Sequence, residues 1–150
     1  MAVTALLMIC PSIDARAESL GGYSKMIDSY LETHNWYKEE DLSLLSEVMF
    51  HENGSNSDLC LLYTGSVVLN RVSSKSWPNT IKEVLYQRGQ YATVPMFFTK
   101  KIPDRITKLA KELLIFGSRL PEAYVYQAMH PQGRHKDKAI KVDTEFFCTE

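Results

Sequence analysis

The sequence predicts a mainly helical α+β domain with a small β element late in the chain. Three observations carry that expectation. Apolar residues recur at helical spacing through 42–49, through 61–72 and again through 109–114. Each stretch is bounded by residue types that start or stop helices. Strand-forming residues gather only near the end, around 123–127 and 142–148.

Taken in order, the first segment stands apart. Ala2 to Cys10 is a short apolar run followed by Pro11 and the A-x-A step Ala15-Arg16-Ala17. That pattern predicts a signal peptide over 1–17 with cleavage after Ala17, although no Lys or Arg precedes the run. The competing reading is a short N-terminal helix packed on the domain. Residues 18–150 are then one domain, since the remaining length leaves little room for two. After the Gly21-Gly22 loop, Met26, Ile27, Tyr30 and Leu31 mark a weakly amphipathic helix.

Lys38-Glu39-Glu40-Asp41 leads into the next helix, whose acidic first turn suits the positive end of the dipole. Leu42, Leu45, Val48 and Met49 make its apolar face. Asn53-Gly54 supplies the stop, because both residues tolerate a left-handed conformation. Glu52 therefore falls at the end of a buried helix, just before a polar loop. Asp58 is the expected N-cap of a helix through Leu61, Leu62, Val67, Val68, Leu69 and Val72, apolar nearly all round as a central helix should be. Thr80 and Glu83 have capping-box spacing at the start of a short helix, which Arg88-Gly89-Gln90 breaks. Pro103 opens a further helix through Leu109, Leu113 and Leu114, closed by Gly117. Ala123 to Gln127 and Val142 to Cys148 are two candidate strands that could pair. Several helices around a central one, with β structure confined to the end, is a lysozyme-like architecture.

Composition narrows the function. A formal charge of −1 gives no basic excess for a polyanion, so nucleic acid is not an expected partner. No stretch reaches the roughly eighteen apolar residues of a membrane span. Two Trp, eight Tyr and six Phe would serve a sugar ligand, although most belong in a core. Removing the first seventeen residues leaves Cys60 and Cys148. Two cysteines in an exported chain commonly pair, so a Cys60–Cys148 disulfide is expected. Two buried thiols are the alternative.

Metal and nucleophile motifs fail on inspection. His51-Glu52 lacks the second His that a zinc-protease helix needs at position 55, which is Ser55. His130 and His135 have no companion cysteines nearby, and Gly65-Ser66 lacks the flanking glycine of a nucleophile elbow. No cofactor and no metal are expected.

The segment Leu44-Leu45-Ser46-Glu47-Val48-Met49-Phe50-His51-Glu52-Asn53-Gly54 resembles the opening of the SleB/CwlJ cell-wall hydrolase domain. In that family a hydrophobic helix ends in a Gly-Glu-Ala-like step carrying the catalytic glutamate. Val67-Val68-Leu69-Asn70-Arg71-Val72 matches the family's next block residue for residue. Pro78-Asn79-Thr80-Ile81-Lys82-Glu83-Val84 and Gln87-Arg88-Gly89-Gln90-Tyr91 match the two after it, with Tyr91 for Phe. Val125-Tyr126-Gln127-Ala128 and Phe146-Phe147-Cys148 resemble the closing segment of clostridial members. Several blocks in one order, spanning 42–148, are far more specific than any one of them. His51 stands where the family has Gly, and Asn53 where it has Ala.

The resemblance implies a monomeric, secreted or wall-associated enzyme acting on peptidoglycan glycan strands, in spore cortex lysis, wall remodelling or phage-borne lysis. It implies Glu52 as the catalytic acid. Partial burial and the negative end of a helix dipole both disfavour a carboxylate there, which suits an acid that must hold its proton. It also offers Asn70, Gln90, Tyr91 and Gln127 as sugar contacts. For Asn70, anchoring a loop from the central helix is the equal alternative. Arg71 is expected in a structural salt bridge. A lytic transglycosylase is the expected activity. A hydrolytic muramidase, and an inactive glycan-binding domain with His51 as the clue, are the alternatives.

Overall fold

The computed structural model describes residues 37–150, together with Ser29. The chain divides into two compact units, residues 1–34 and 35–150, and the elements described below belong to the second. The expected signal peptide and, apart from the helical Ser29, the expected helix around Met26–Leu31 lie outside the described residues.

Among the described residues of this unit four α-helices come first: α1 (Glu39–Asn53), α2 (Asp58–Ser73), the short α3 (Ile81–Tyr86) and α4 (Asp104–Phe116). Three strands follow, β1 (Tyr124–Ala128), β2 (Ile140–Val142) and β3 (Glu145–Thr149). They form one antiparallel sheet in the order β1-β3-β2. The architecture is therefore mainly helical α+β, as the pattern of apolar spacing requires.

Helix α2 is apolar all round because it has two faces to cover. One packs Leu61 and Val68 with Leu45, Val48 and Met49 of α1, Val84 of α3, and Ala110 and Leu113 of α4. The other packs Cys60 and Val67 with Leu120 and Phe147, so the sheet closes on the opposite side. Each large side chain buried this way contributes roughly 1.5–3 kcal/mol, which is why a helix of modest amphipathicity stays in the centre.

Helix ends follow local chemistry, with two departures from expectation, and one expected strand departs as well. The cap of α2 is Ser57, whose hydroxyl accepts from the Cys60 N–H; Asp58 is the first helical residue and pairs instead with Arg105 at 2.6 Å. Helix α1 stops at Asn53, but Gly54 is right-handed (φ −57°), not left-handed. Glycine is needed there for space, because a Cβ would lie 2.9 Å from the Phe50 ring. The Asn53 side chain seals the end, donating to the Thr64 hydroxyl at 2.8 Å and accepting from Asn56 at 2.8 Å. The run from Val142 to Cys148 is not one strand. It turns at Asp143 (φ 52°) and Thr144 into the β2–β3 hairpin. Asp143 caps the junction, accepting from the Ser57 hydroxyl at 2.6 Å and the Ser57 N–H at 2.9 Å.

The expected Cys60–Cys148 disulfide is absent: both residues are free, buried thiols. Burial pushes the Cys60 thiol up to about 11, so the thiolate needed for disulfide chemistry is scarce. Cysteine's preference for interiors accounts for both positions.

Candidate active site

Glu52 occupies the last turn of α1, half-buried, with its helix end locked by Asn53. The Thr93 hydroxyl donates to its Oε1 at 2.5 Å. Thr93 belongs to the loop after α3, which reverses at Gly89 (φ 79°) and enters a 3₁₀ turn over Val94–Met96. One carboxylate oxygen is thus held by the protein. This carboxylate–hydroxyl pair joins residues 41 positions apart.

Tyr91, on the same loop, sits within electrostatic reach of both Glu52 and Arg71. Burial pushes its hydroxyl up to about 12; the Arg71 charge opposes that shift and Glu52 adds to it. Tyr91 is therefore a neutral phenol at any physiological pH, able to donate a hydrogen bond without carrying charge.

Arg71 is buried, with only 5% of its surface exposed. Among the described residues no salt bridge accompanies it, contrary to expectation. Its Nε donates to the Val125 carbonyl at 2.7 Å, and its guanidinium lies 4.2 Å from the Trp77 ring centroid, 5.3 Å from Tyr91 and 5.8 Å from Tyr126. Three aromatic faces take the place of a carboxylate, as cation–π attraction in a desolvated setting allows. The guanidinium ties α2 to β1, to the Trp77 turn and to the loop that carries Tyr91.

Asn70 is also buried, and its amide donates to the carbonyls of Pro121 and Tyr124, both at 2.9 Å. It anchors the entry to β1, the role weighed equally with a sugar contact. Gln90 is an exposed turn residue and Gln127 a half-buried strand residue opposite Phe147. Among the described residues, neither side chain hydrogen-bonds to Glu52 or Arg71. Of these residues, Tyr91 is the one within electrostatic reach of Glu52.

Sequence reasoning missed Thr93, Trp77 and one further pair. His51 Nε2 lies 3.3 Å from Glu47 Oε2, one helical turn back, with side chains 3% and 5% exposed. The imidazole stacks on Phe97 at 5.8 Å between ring centroids. The ring that replaces the family's glycine is thus packed inside the domain, not projecting from it. Spacing of i, i+4 was a visible signal for this pair; its burial was not. Among the described residues, no three His, Cys, Asp or Glu side chains gather as a metal cage requires. No helix there is long and apolar enough to cross a membrane.

The sequence profile of the family described as Cell Wall Hydrolase matches residues 57–142, more than half of the chain. The chain belongs to the cell wall hydrolase family. Two curated relatives, both spore cortex-lytic enzymes of Bacillus cereus, are 30% identical over 60 residues, covering 40% of this chain and 23% of theirs. The match thus spans about a quarter of those relatives. The catalytic domain of the Bacillus cereus SleB protein superposes with a TM-score of 0.65 at 19% identity, covering 77% of this chain and 94% of that one. The catalytic domain of the germination-specific lytic transglycosylase SleB from Bacillus anthracis gives 0.62 at 23% identity, covering 78% and 100%. At these identities what is shared is the fold. The family match begins at Ser57, so Glu52 lies outside it, and the assignment of that residue rests on its own surroundings.

Proposed function

We propose that this cell wall hydrolase cleaves peptidoglycan glycan strands as a lytic transglycosylase, with Glu52 as its single acid and base. The observation that carries this reading is the fate of the nearest downstream carboxylate. A two-carboxylate hydrolysis needs a second group flanking the bond at controlled separation. Asp58, the candidate for that role, is exposed at the start of α2 and engaged by Arg105. Of the two, Glu52 has the positioned hydroxyl partner and the half-buried setting.

In this mechanism Glu52 gives its proton to the glycosidic oxygen as the bond from that oxygen to the muramic carbon breaks. The substrate's N-acetyl oxygen stabilises the cationic carbon. The C6 hydroxyl of the same sugar then attacks that carbon, and Glu52 takes back the proton released. The Thr93 hydroxyl bond keeps the carboxyl group in one orientation through both steps, and the neutral Tyr91 phenol supplies a donor beside it. Water is not consumed.

Digestion of purified peptidoglycan in ¹⁸O-water, followed by mass spectrometry, tests this. Products ending in 1,6-anhydromuramic acid without label are expected. Reducing muramic ends carrying the label would establish a muramidase instead and return attention to Asp58. Binding without any released fragment would mark a glycan-binding domain. Export through a signal peptide over 1–17 belongs to the same proposal, since the substrate lies outside the membrane; an N-terminus beginning at Glu18 in mature protein is the expected readout.

A further inference from the structure

Glu47 and His51 are an unusual pair to find inside a helical domain. Carboxylates are almost never fully buried without a partner, and a stability-driven choice at two such positions would be apolar. Here Glu47 Oε2 and His51 Nε2 lie 3.3 Å apart, at ion-pair distance but without hydrogen-bond geometry, and among the described residues neither atom has a hydrogen-bond partner. The basic side chains with a named partner on the helices packed against α1 are engaged elsewhere: Lys82 with Glu40, Arg105 with Asp58, and Arg71 within its aromatic cage; Arg119, in the loop after α4, pairs with Glu112. Glu47 is therefore the polar group that faces the His51 ring.

That ring in turn holds something. Phe50 meets it edge-on at 5.0 Å, and Phe97 stacks on it with an interplanar angle of 21°. Phe97 is linked to Thr93 through a single 3₁₀ turn, closed by Met96 N–H to Thr93 O at 2.8 Å and Phe97 N–H to Val94 O at 3.1 Å. Two consecutive residues of α1, His51 and Glu52, thus grip two residues of one rigid turn, Phe97 and Thr93.

We propose that the buried Glu47–His51 pair is a positioning device: it clamps the 93–97 turn onto the last turn of α1 and so sets where the Thr93 hydroxyl meets Glu52. A single hydroxyl bond would leave the turn free to pivot about it; the stacked Phe97 supplies the second point of contact. Misplacing a catalytic group by about 1 Å can cost about 100-fold in rate, so the clamp has a kinetic consequence. The inference rests on the glycosidase reading above for that consequence, and on the contacts alone for the clamp itself.

A double-mutant cycle tests it. His51→Ala and Phe97→Leu, which loosen the clamp from its two sides, should each lower kcat by about 10- to 100-fold with KM changed less than about twofold. Combined with Thr93→Val, either should be no slower than Thr93→Val alone, because the hydroxyl is what the clamp places. Multiplicative losses would overturn the proposal in favour of a general structural role. Amide hydrogen exchange, measured without substrate, is the second readout. The Met96 and Phe97 amides should exchange faster in both variants while α4 amides do not change. Unchanged exchange at that turn would also overturn it. If no form of the protein releases fragments, the glycosidase reading fails and the exchange data decide the clamp by themselves.

Discussion

Replacing Asn70 with Leu removes two hydrogen bonds while nearly keeping the side chain's shape. Both bonds are 2.9 Å long, and they hold the carbonyls of Pro121 and Tyr124 at the entry to β1. A net contribution of about 1 kcal/mol per bond gives about 2 kcal/mol in all. The better helix propensity of Leu offsets a few tenths of that. Asn70 is 3% exposed, so water cannot readily replace its amide from the same side. For a unit of this size a loss near 2 kcal/mol should lower Tm by roughly 6–10 °C. Thermal unfolding of wild type and Asn70→Leu, with peptidoglycan turnover measured well below both transitions, separates the two roles. A loop anchor predicts the Tm loss with KM within about twofold. A Tm within about 2 °C of wild type together with a several-fold higher KM would refute the reasoning and make Asn70 a sugar contact.

Glu52→Gln should abolish peptidoglycan cleavage with little change in Tm, since Gln keeps the shape and loses the proton; turnover above a few per cent would remove Glu52 as the acid. Alkylation of native protein at pH 8 should leave Cys60 unmodified, because its thiol is pushed up to about 11; after unfolding without reductant, both Cys60 and Cys148 should label. A mass two hydrogens lighter with neither labelled would restore the disulfide. The Ser57 hydroxyl, then the Ser57 N–H, hold the Asp143 carboxyl below the usual aspartate range. A depressed folded value contributes stability that is present above the unfolded value of about 3.9 and lost as pH falls through the folded one. Asp143→Asn should therefore be less stable than wild type at neutral pH and converge on it in acid; a gap that stays constant down to about pH 2 would contradict this.

Helix boundaries were legible in the sequence because they are local. The Thr80 hydroxyl meets the Glu83 N–H and carboxylate three residues away, and Gly117 ends α4 at φ 86°. Where two neighbours could both cap, as with Ser57 and Asp58, backbone geometry decided, and Arg105 claimed the loser from 47 residues away. The hairpin between β2 and β3 was hidden because Asp143 turns inside a run that otherwise reads as one strand. Cysteine count favoured a Cys60–Cys148 disulfide, and only the packing shows two buried, unpaired thiols.

The place of Glu52 near the end of a buried helix was legible in the sequence, since apolar periodicity acts within a few residues, although the Asn53 seal at that end reaches Thr64, eleven residues on. Its partner was not, because the Thr93 bond spans 41 positions and follows from how the loop after α3 returns to α1. The same holds for Arg71 among Trp77, Tyr91 and Tyr126, and for Glu47 with His51. A charged residue is presumed solvated until packing removes its water, and only the tertiary structure says where that happens. Local chemistry chose the elements; burial, which depends on every element at once, chose which polar groups had to find each other.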